Sequence, residues 1–261
     1  MIDTPLIRID RHESGVVEVV LDRPEAMNAV STQMATALTA AGGALADDTS
    51  VRAVVLTSSH DKAFCVGADL KERNGFTDEQ LRAQRPGNRL AYRALLDLPV
   101  PTIAAVDGYA MGGGCELALA CDLIVAGPRA LFALPEVSVG VIPGGGGTQL
   151  LTRRIGWSRS ADLIFTARRV DGEEALRLGL ADRFVDDAKG EALAMAATIA
   201  QHSPVGMRNA KAAMRGGLDV SLDEGLDLED ARWHDTAFSA DRAEGVRAFA
   251  EKRTPQWPGL G

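Results

Sequence analysis

One pattern constrains this chain more than any other. Through roughly its first 135 residues, short β-branched runs that stop at Asp, Gly or Ser alternate with helical periodicity. The runs are VVEVVLD (16–22), RAVVLTSS (52–59), TIAAVDG (102–108) and DLIVAG (122–127), with ALFAL (130–134) a weaker fifth. Between them, Met34, Ala37, Leu38, Ala41 and Leu45 fall on one face of a helix over 31–48. TDEQ (77–80) has capping-box spacing and opens a second helix reaching Leu98, which Pro86-Gly87 is expected to break or kink. Strands separated by helices predict parallel pairing in an α/β fold. After about residue 150 the strand signals nearly vanish. Asp171 and Glu174 repeat the capping spacing, and helical patterns follow at 187–202, 204–215, 221–238 and 239–253. The chain has 261 residues, enough for one large domain with an extension. The expected organisation is a catalytic core over 1–195 and a helical region over 196–261, suited to oligomer contacts.

Composition excludes several roles. A net charge of −8 argues against general nucleic-acid binding, so an anionic ligand would need a local basic cluster or backbone N–H groups. Cys65, Cys115 and Cys121 form no disulfide framework, which fits a cytoplasmic location. His12, His60, His202 and His234 lack ligand spacing, so neither a metal centre nor a histidine triad is expected. The N-terminus carries early charges and no apolar core of a signal peptide, and no run is long enough to span a membrane.

Four stretches concentrate the chemistry, at 63–73, 108–122, 134–153 (LPEVSVGVIPGGGGTQLLTR) and 249–259 (FAEKRTPQWPG). In AFCVGADLKER (63–73) and GYAMGGGCELALACD (108–122), glycine stands where a strand gives way to a helix. Helix starts carry N–H groups without intrahelical partners, so two facing turns can aim two donors at one oxygen, an oxyanion hole. Each turn read alone also fits tight strand–helix packing. Glu116 follows the glycines among apolar residues, where a carboxylate is seldom buried without a partner or a task. Glu136 follows Pro135 and precedes GVIPGGGG; a plain loop glutamate fits there too. IPGGGGTQ (142–149) lacks the Lys-Ser/Thr of a phosphate-binding P-loop and the third glycine of a dinucleotide fingerprint.

Taken together, AFCVGADLKE, PTIAAVDGYAMGGGCELALACDLIVA and PEVSVGVIPGGGGTQLLTR resemble the signature blocks of the crotonase (enoyl-CoA hydratase/isomerase) family, in order and spacing. The resemblance implies a spiral of ββα turns followed by a helical trimerisation region, assembled as a homotrimer or a dimer of trimers. It implies an acyl-CoA thioester substrate and no cofactor, CoA being part of the substrate. By motif, the oxyanion donors fall on Ala68 and Gly113 and the two hydratase glutamates on Glu116 and Glu136. Glu116 would hold a water and accept its proton as oxygen adds to C3. Glu136 would orient that water and protonate C2. The split needs one carboxylate charged and one neutral, which burial and mutual repulsion favour.

For CoA itself, the resemblance places Ala26 (in RPEAMNA), Ala68, Asp69, Leu70, Gly113, Phe249 and Lys252 near the ligand. The segment 71–93 also sets six basic side chains against three acidic ones, suiting either phosphates or solvent. FCVGADLKER and LPVPTIAAVDG look like the methylglutaconyl-CoA hydratase branch, in which an arginine from 73–89 would meet a distal carboxylate. Isomerases of the family typically keep only the second glutamate, so Glu116 favours a hydratase. RNA binding, known in that branch, is disfavoured because helix 31–46 has no lysine or arginine. Two intact glutamates also argue against an inactive CoA-ester binder.

Overall fold

The computed structural model describes residues 6–260; the expectation about a leader falls partly on residues 1–5, outside that range. In chain order, β1 (Ile7–Arg11) and β2 (Val16–Leu21) precede α1 (Thr32–Asp47), then β3 (Ala53–Ser58), β4 (Ala63–Cys65), α2 (Leu70–Arg73) and α3 (Asp78–Leu96). Next come β5 (Thr102–Val106), β6 (Tyr109–Met111), α4 (Gly113–Leu119), β7 (Leu123–Ala126), β8 (Leu131–Ala133) and a 3-10 turn at Glu136–Val139. The remainder is α5 (Gly147–Ile155), α6 (Trp157–Thr166), β9 (Val170–Asp171), α7 (Gly172–Leu178), β10 (Arg183–Phe184) and α8 (Ala188–Ala200). It closes with α9 (Pro204–Gly216), α10 (Leu222–Ala237) and α11 (Ala240–Glu251).

The strands sort into two sheets, β1-β2-β3-β5-β7-β10 and β4-β6-β8-β9. Each of the pairs β3/β4, β5/β6 and β7/β8 sends its first strand to one sheet and its second to the other, then yields to helix. That is a ββα spiral. Successive turns re-enter each sheet in the same sense, so β3, β5 and β7 pair in parallel, as do β4, β6 and β8. Antiparallel pairing is confined to the ends, β1 with β2 and β8 with β9.

The near-continuous apolar character of β3 follows from burial on both faces. Val54 and Leu56 join the main core, while Ala53 and Val55 face a second cluster with Ala188, Ala192 and Ala196 of α8. The boundary expected at 195/196 therefore falls inside a helix still seated on the sheet. The purely helical segment starts at α9, tied back by Asp122, which receives Lys211 and Arg215.

One local expectation is corrected. Pro86-Gly87 does not break α3, which is one helix from Asp78 to Leu96. Pro86 and Gly87 both lie on its exposed side, and the buried stripe of Gln84, Asn88, Ala91, Tyr92 and Leu95 holds the helix against α1 and α4. The strands expected before the two glycine turns, β4 and β6, are only three residues long. They are too short to display a period of two.

Candidate active site

The second sheet positions the site. β4, β6 and β8 are parallel neighbours and end at one edge, so the turns that follow them lie side by side. The first turn holds Gly67 and Ala68, the second Gly112 and Gly113, the third Pro135 and Glu136. Gly67 (φ 87°) and Gly112 (φ 51°) adopt backbone that a side chain would strain. The turns touch: a Cβ on Gly67 would lie 2.9 Å from the Gly113 nitrogen. Val30 donates to the Gly67 carbonyl and Asp69 to the Val30 carbonyl, at 2.7 and 3.1 Å. Ala68, between them, has no backbone acceptor among the described residues. The Gly113 N–H, first in α4, has none within its helix. Two free donors thus come from adjacent turns.

Glu116 sits in the first turn of α4 and is 3 % exposed. Its Oε1 accepts the Gly145 and Gly147 N–H groups at 2.7 and 2.8 Å. Burial pushes its carboxyl upward, and those N–H groups and the nearby Arg85 charge pull back, leaving a net rise. The loop that resembled a failed phosphate cradle therefore receives the chain's own carboxylate. Glu136 is half-buried, and a Cβ on Gly112 would lie 2.7 Å from its Oε1, so it reaches over the second turn. Its Oε2 is buried without a hydrogen-bond partner. Desolvation first, then the charge of Glu116, raise its carboxyl to about 7. The arrangement offers two backbone donors, a carboxylate fixed by two N–H groups, and a second carboxyl that holds its proton near neutrality.

The other expected ligand residues divide. Val66 N–H donates to the Met27 carbonyl at 3.2 Å, bringing the Ala26 turn beside the first glycine turn. The Asp69 carboxylate is occupied: it caps α2 through the Lys71 and Glu72 N–H groups and pairs with Arg23 at 2.6 Å. Leu70 is exposed at the start of α2. Phe249 and Lys252 lie at the end of α11, Phe249 being 88 % exposed, on a helix packed on α9 and α10. They are not brought to the glutamates within one chain. Two open apolar grooves likewise line the C-terminal helices rather than the glutamates.

Several site residues escaped the sequence reading. Asn28 (φ 57°) locks the Ala26 turn, its amide donating to Ser58 Oγ and the Phe64 carbonyl. Tyr92 is buried, with its hydroxyl 2.4 Å from where a Gly113 Cβ would stand. Its place on the stripe 84/88/91/92/95 was the available signal, but that spacing speaks equally for plain core. Among the described residues no helix is long and apolar enough to cross a membrane, and no acidic, His or Cys group could hold a metal ion.

A family model described as enoyl-CoA hydratase/isomerase matches residues 11–259. A probable mitochondrial enoyl-CoA hydratase 2 of Arabidopsis thaliana is 40 % identical over 256 residues, covering 97 % of this chain and 85 % of that one. A mitochondrial methylglutaconyl-CoA hydratase of Mus musculus is 41 % identical over 257 residues, 96 % of this chain and 82 % of that one. Among solved structures, an enoyl-CoA hydratase from Bacillus anthracis superposes with a TM-score of 0.94 at 38 % identity, covering 97 % of this chain and 98 % of that one.

Proposed function

The chain belongs to the enoyl-CoA hydratase/isomerase family, and from that premise we propose that it adds water across the C2=C3 bond of an α,β-unsaturated acyl-CoA. The observation that carries this reading is a pair of carboxyls, Glu116 fixed by two N–H groups and Glu136 with a buried, unpartnered Oε2, beside two free backbone donors. Ala68 and Gly113 N–H groups receive the thioester oxygen as negative charge builds there. Glu116, fixed by Gly145 and Gly147, takes the proton from water as its oxygen attacks C3. Glu136, protonated near neutrality, gives its proton to C2, and passage of water's proton from Glu116 to Glu136 restores the pair for the next cycle. No cofactor enters the cycle.

The sign of the pH dependence follows. Glu136 must carry its proton to act as acid, so kcat/KM falls as pH rises through about 7. Glu116 must be charged to act as base, so kcat/KM also falls on the acid side. Loss of crotonyl-CoA ultraviolet absorbance, followed from about pH 5 to about pH 9, reads both limbs. A flat profile contradicts the assignment, and no hydration at any pH refutes the function.

One observation favours a second reading of the substrate. The buried stripe of α3 is mixed: beside Ala91 and Leu95 it carries Asn88, whose Oδ1 has no partner, and Tyr92, whose hydroxyl reaches the Gly113 turn. Arg73, which meets Gln84, has no acidic partner among the described residues. Such a face suits an acyl group with a polar end, as in 3-methylglutaconyl-CoA, better than an alkyl chain. Comparing that ester with crotonyl-CoA decides it; a strong preference for crotonyl-CoA rejects the polar reading.

Met214, Leu222, Phe238 and Phe249 are all left exposed on the C-terminal helices, as apolar side chains buried between chains would be in the isolated chain. The expected mass by light scattering is that of three or six chains, and a monomer rejects this assembly. In such an assembly Phe249 and Lys252 would approach a neighbouring subunit's CoA.

A further inference from the structure

Arg85 belongs to the basic segment 71–93, whose charges suit CoA phosphates or solvent. Its side chain does something else. It leaves α3, and its Nη2 donates to the Gly144 carbonyl at 2.7 Å. The whole guanidinium lies against that glycine: a Cβ on Gly144 would stand 2.9 to 3.3 Å from Nη1, Nη2 and Cζ. Two helical turns along α3, the Tyr92 ring lies under the next residue, three of its ring carbons 2.7 Å from where a Gly145 Cβ would stand. The helix thus grips residues 144 and 145 from one side. The same short loop turns its Gly145 and Gly147 N–H groups to the other side, onto Glu116 Oε1. Arg85 has no acidic partner among the described residues, so its charge stays available to the loop and to Glu116.

We propose that Arg85 is a positioning residue, which holds the 143–147 loop against α3 so that two backbone N–H groups keep Glu116 in place as the water-activating base. The inference rests on the hydratase reading above but concerns a different residue and a different readout. The charged and titratable groups around Glu116 are Arg85 and Tyr92 on α3, Glu136 on the 3-10 turn, and Cys115 on α4 itself. Arg85 is the cation that acts on Glu116, in the same direction as the two N–H donors, while Arg154 of α5, the helix packed on α4, acts on Cys115 and Cys121.

The test compares wild type with Arg85→Met, Arg85→Lys and Arg85→Gln on crotonyl-CoA. Arg85→Met removes both charge and hydrogen bond. It is expected to lower kcat roughly ten- to a hundredfold, a typical loss from misplacing a catalytic group. It should also move the acid limb of the pH profile to higher pH, because Glu116 loses a charge that favours its ionised form. Arg85→Lys keeps the charge and should hold the limb nearer its wild-type position. Arg85→Gln keeps a donor without charge and should recover kcat while leaving the limb displaced. Hydrogen exchange of a peptide covering 143–150 should quicken in Arg85→Met and not elsewhere in the core, a readout independent of turnover. Two results overturn the inference: wild-type kcat and acid limb in Arg85→Met, or a change confined to KM, which would mark Arg85 as a CoA-phosphate contact. Absence of hydration by the wild-type enzyme would instead refute the function itself.

Discussion

Glu116→Gln lowers kcat for hydration of crotonyl-CoA by roughly 10²–10⁴-fold, the range associated with loss of a general base. The substitution isolates the charge. A glutamine Oε1 can still accept the Gly145 and Gly147 N–H groups, so the loop keeps its anchor. The side chain has the same length and keeps its buried place in the first turn of α4. What disappears is the group able to take water's proton. Removing a buried carboxylate also relieves desolvation, so the unfolding midpoint should hold or rise. The measurement pairs initial rates with thermal unfolding and light scattering. An active Glu116→Gln enzyme with intact assembly would remove Glu116 from the mechanism, whereas an inactive, unfolded one would show that its role is structural.

Gly114→Ala is expected to be nearly as damaging by another route. A Cβ there would lie 1.9 Å from the Cys65 carbonyl oxygen, a backbone atom that cannot rotate away. The two turns would have to part by roughly 1 Å, and overpacking of that kind costs about 1–3 kcal/mol. Parting them also moves the Gly113 N–H away from the Ala68 N–H. Losing one oxyanion donor typically costs roughly 10²–10³ in rate. Gly43→Ala is the control: that glycine lies on the exposed side of α1 with nothing within 4 Å of an added Cβ. It should leave activity unchanged and stabilise slightly, since alanine favours helix by about 1 kcal/mol. Full activity in Gly114→Ala would mean that the thioester oxygen is not held at this turn.

The residue types of the site could be read from the chain, but their meeting came from the resemblance and not from any local pattern. Glycine before a helix start, a carboxylate among apolar residues and a second one after proline are local features, and each was visible at Gly113, Glu116 and Glu136. Their convergence depends on β4, β6 and β8 running side by side, and strands of three residues leave no periodic trace. The loop 143–147 shows the same gap. Its glycines suggested an anion, and its anion is supplied by α4 of the same chain, at a distance in sequence no motif encodes. Pro86 failed in the opposite sense: the local rule was clear, and packing of one buried stripe against α1 and α4 outweighed it. Charge counting along 71–93 gave no direction for any side chain, so Arg85 reaching across to the Gly144 carbonyl and Asp69 being consumed by a cap were both invisible.

The winding of the chain also decides when catalytic competence arises. Ala68, Gly113 and Glu136 stand on three successive coils, so no coil carries more than a fraction of the site. Cutting the chain after any coil leaves a glycine turn with no opposing donor, or a glutamate with no loop to grip it. The long-range parallel pairings that unite the coils form slowly, because loop entropy must be lost before they reward the chain. On the proposed mechanism, a nascent or partly melted molecule stays chemically silent until the third coil has paired.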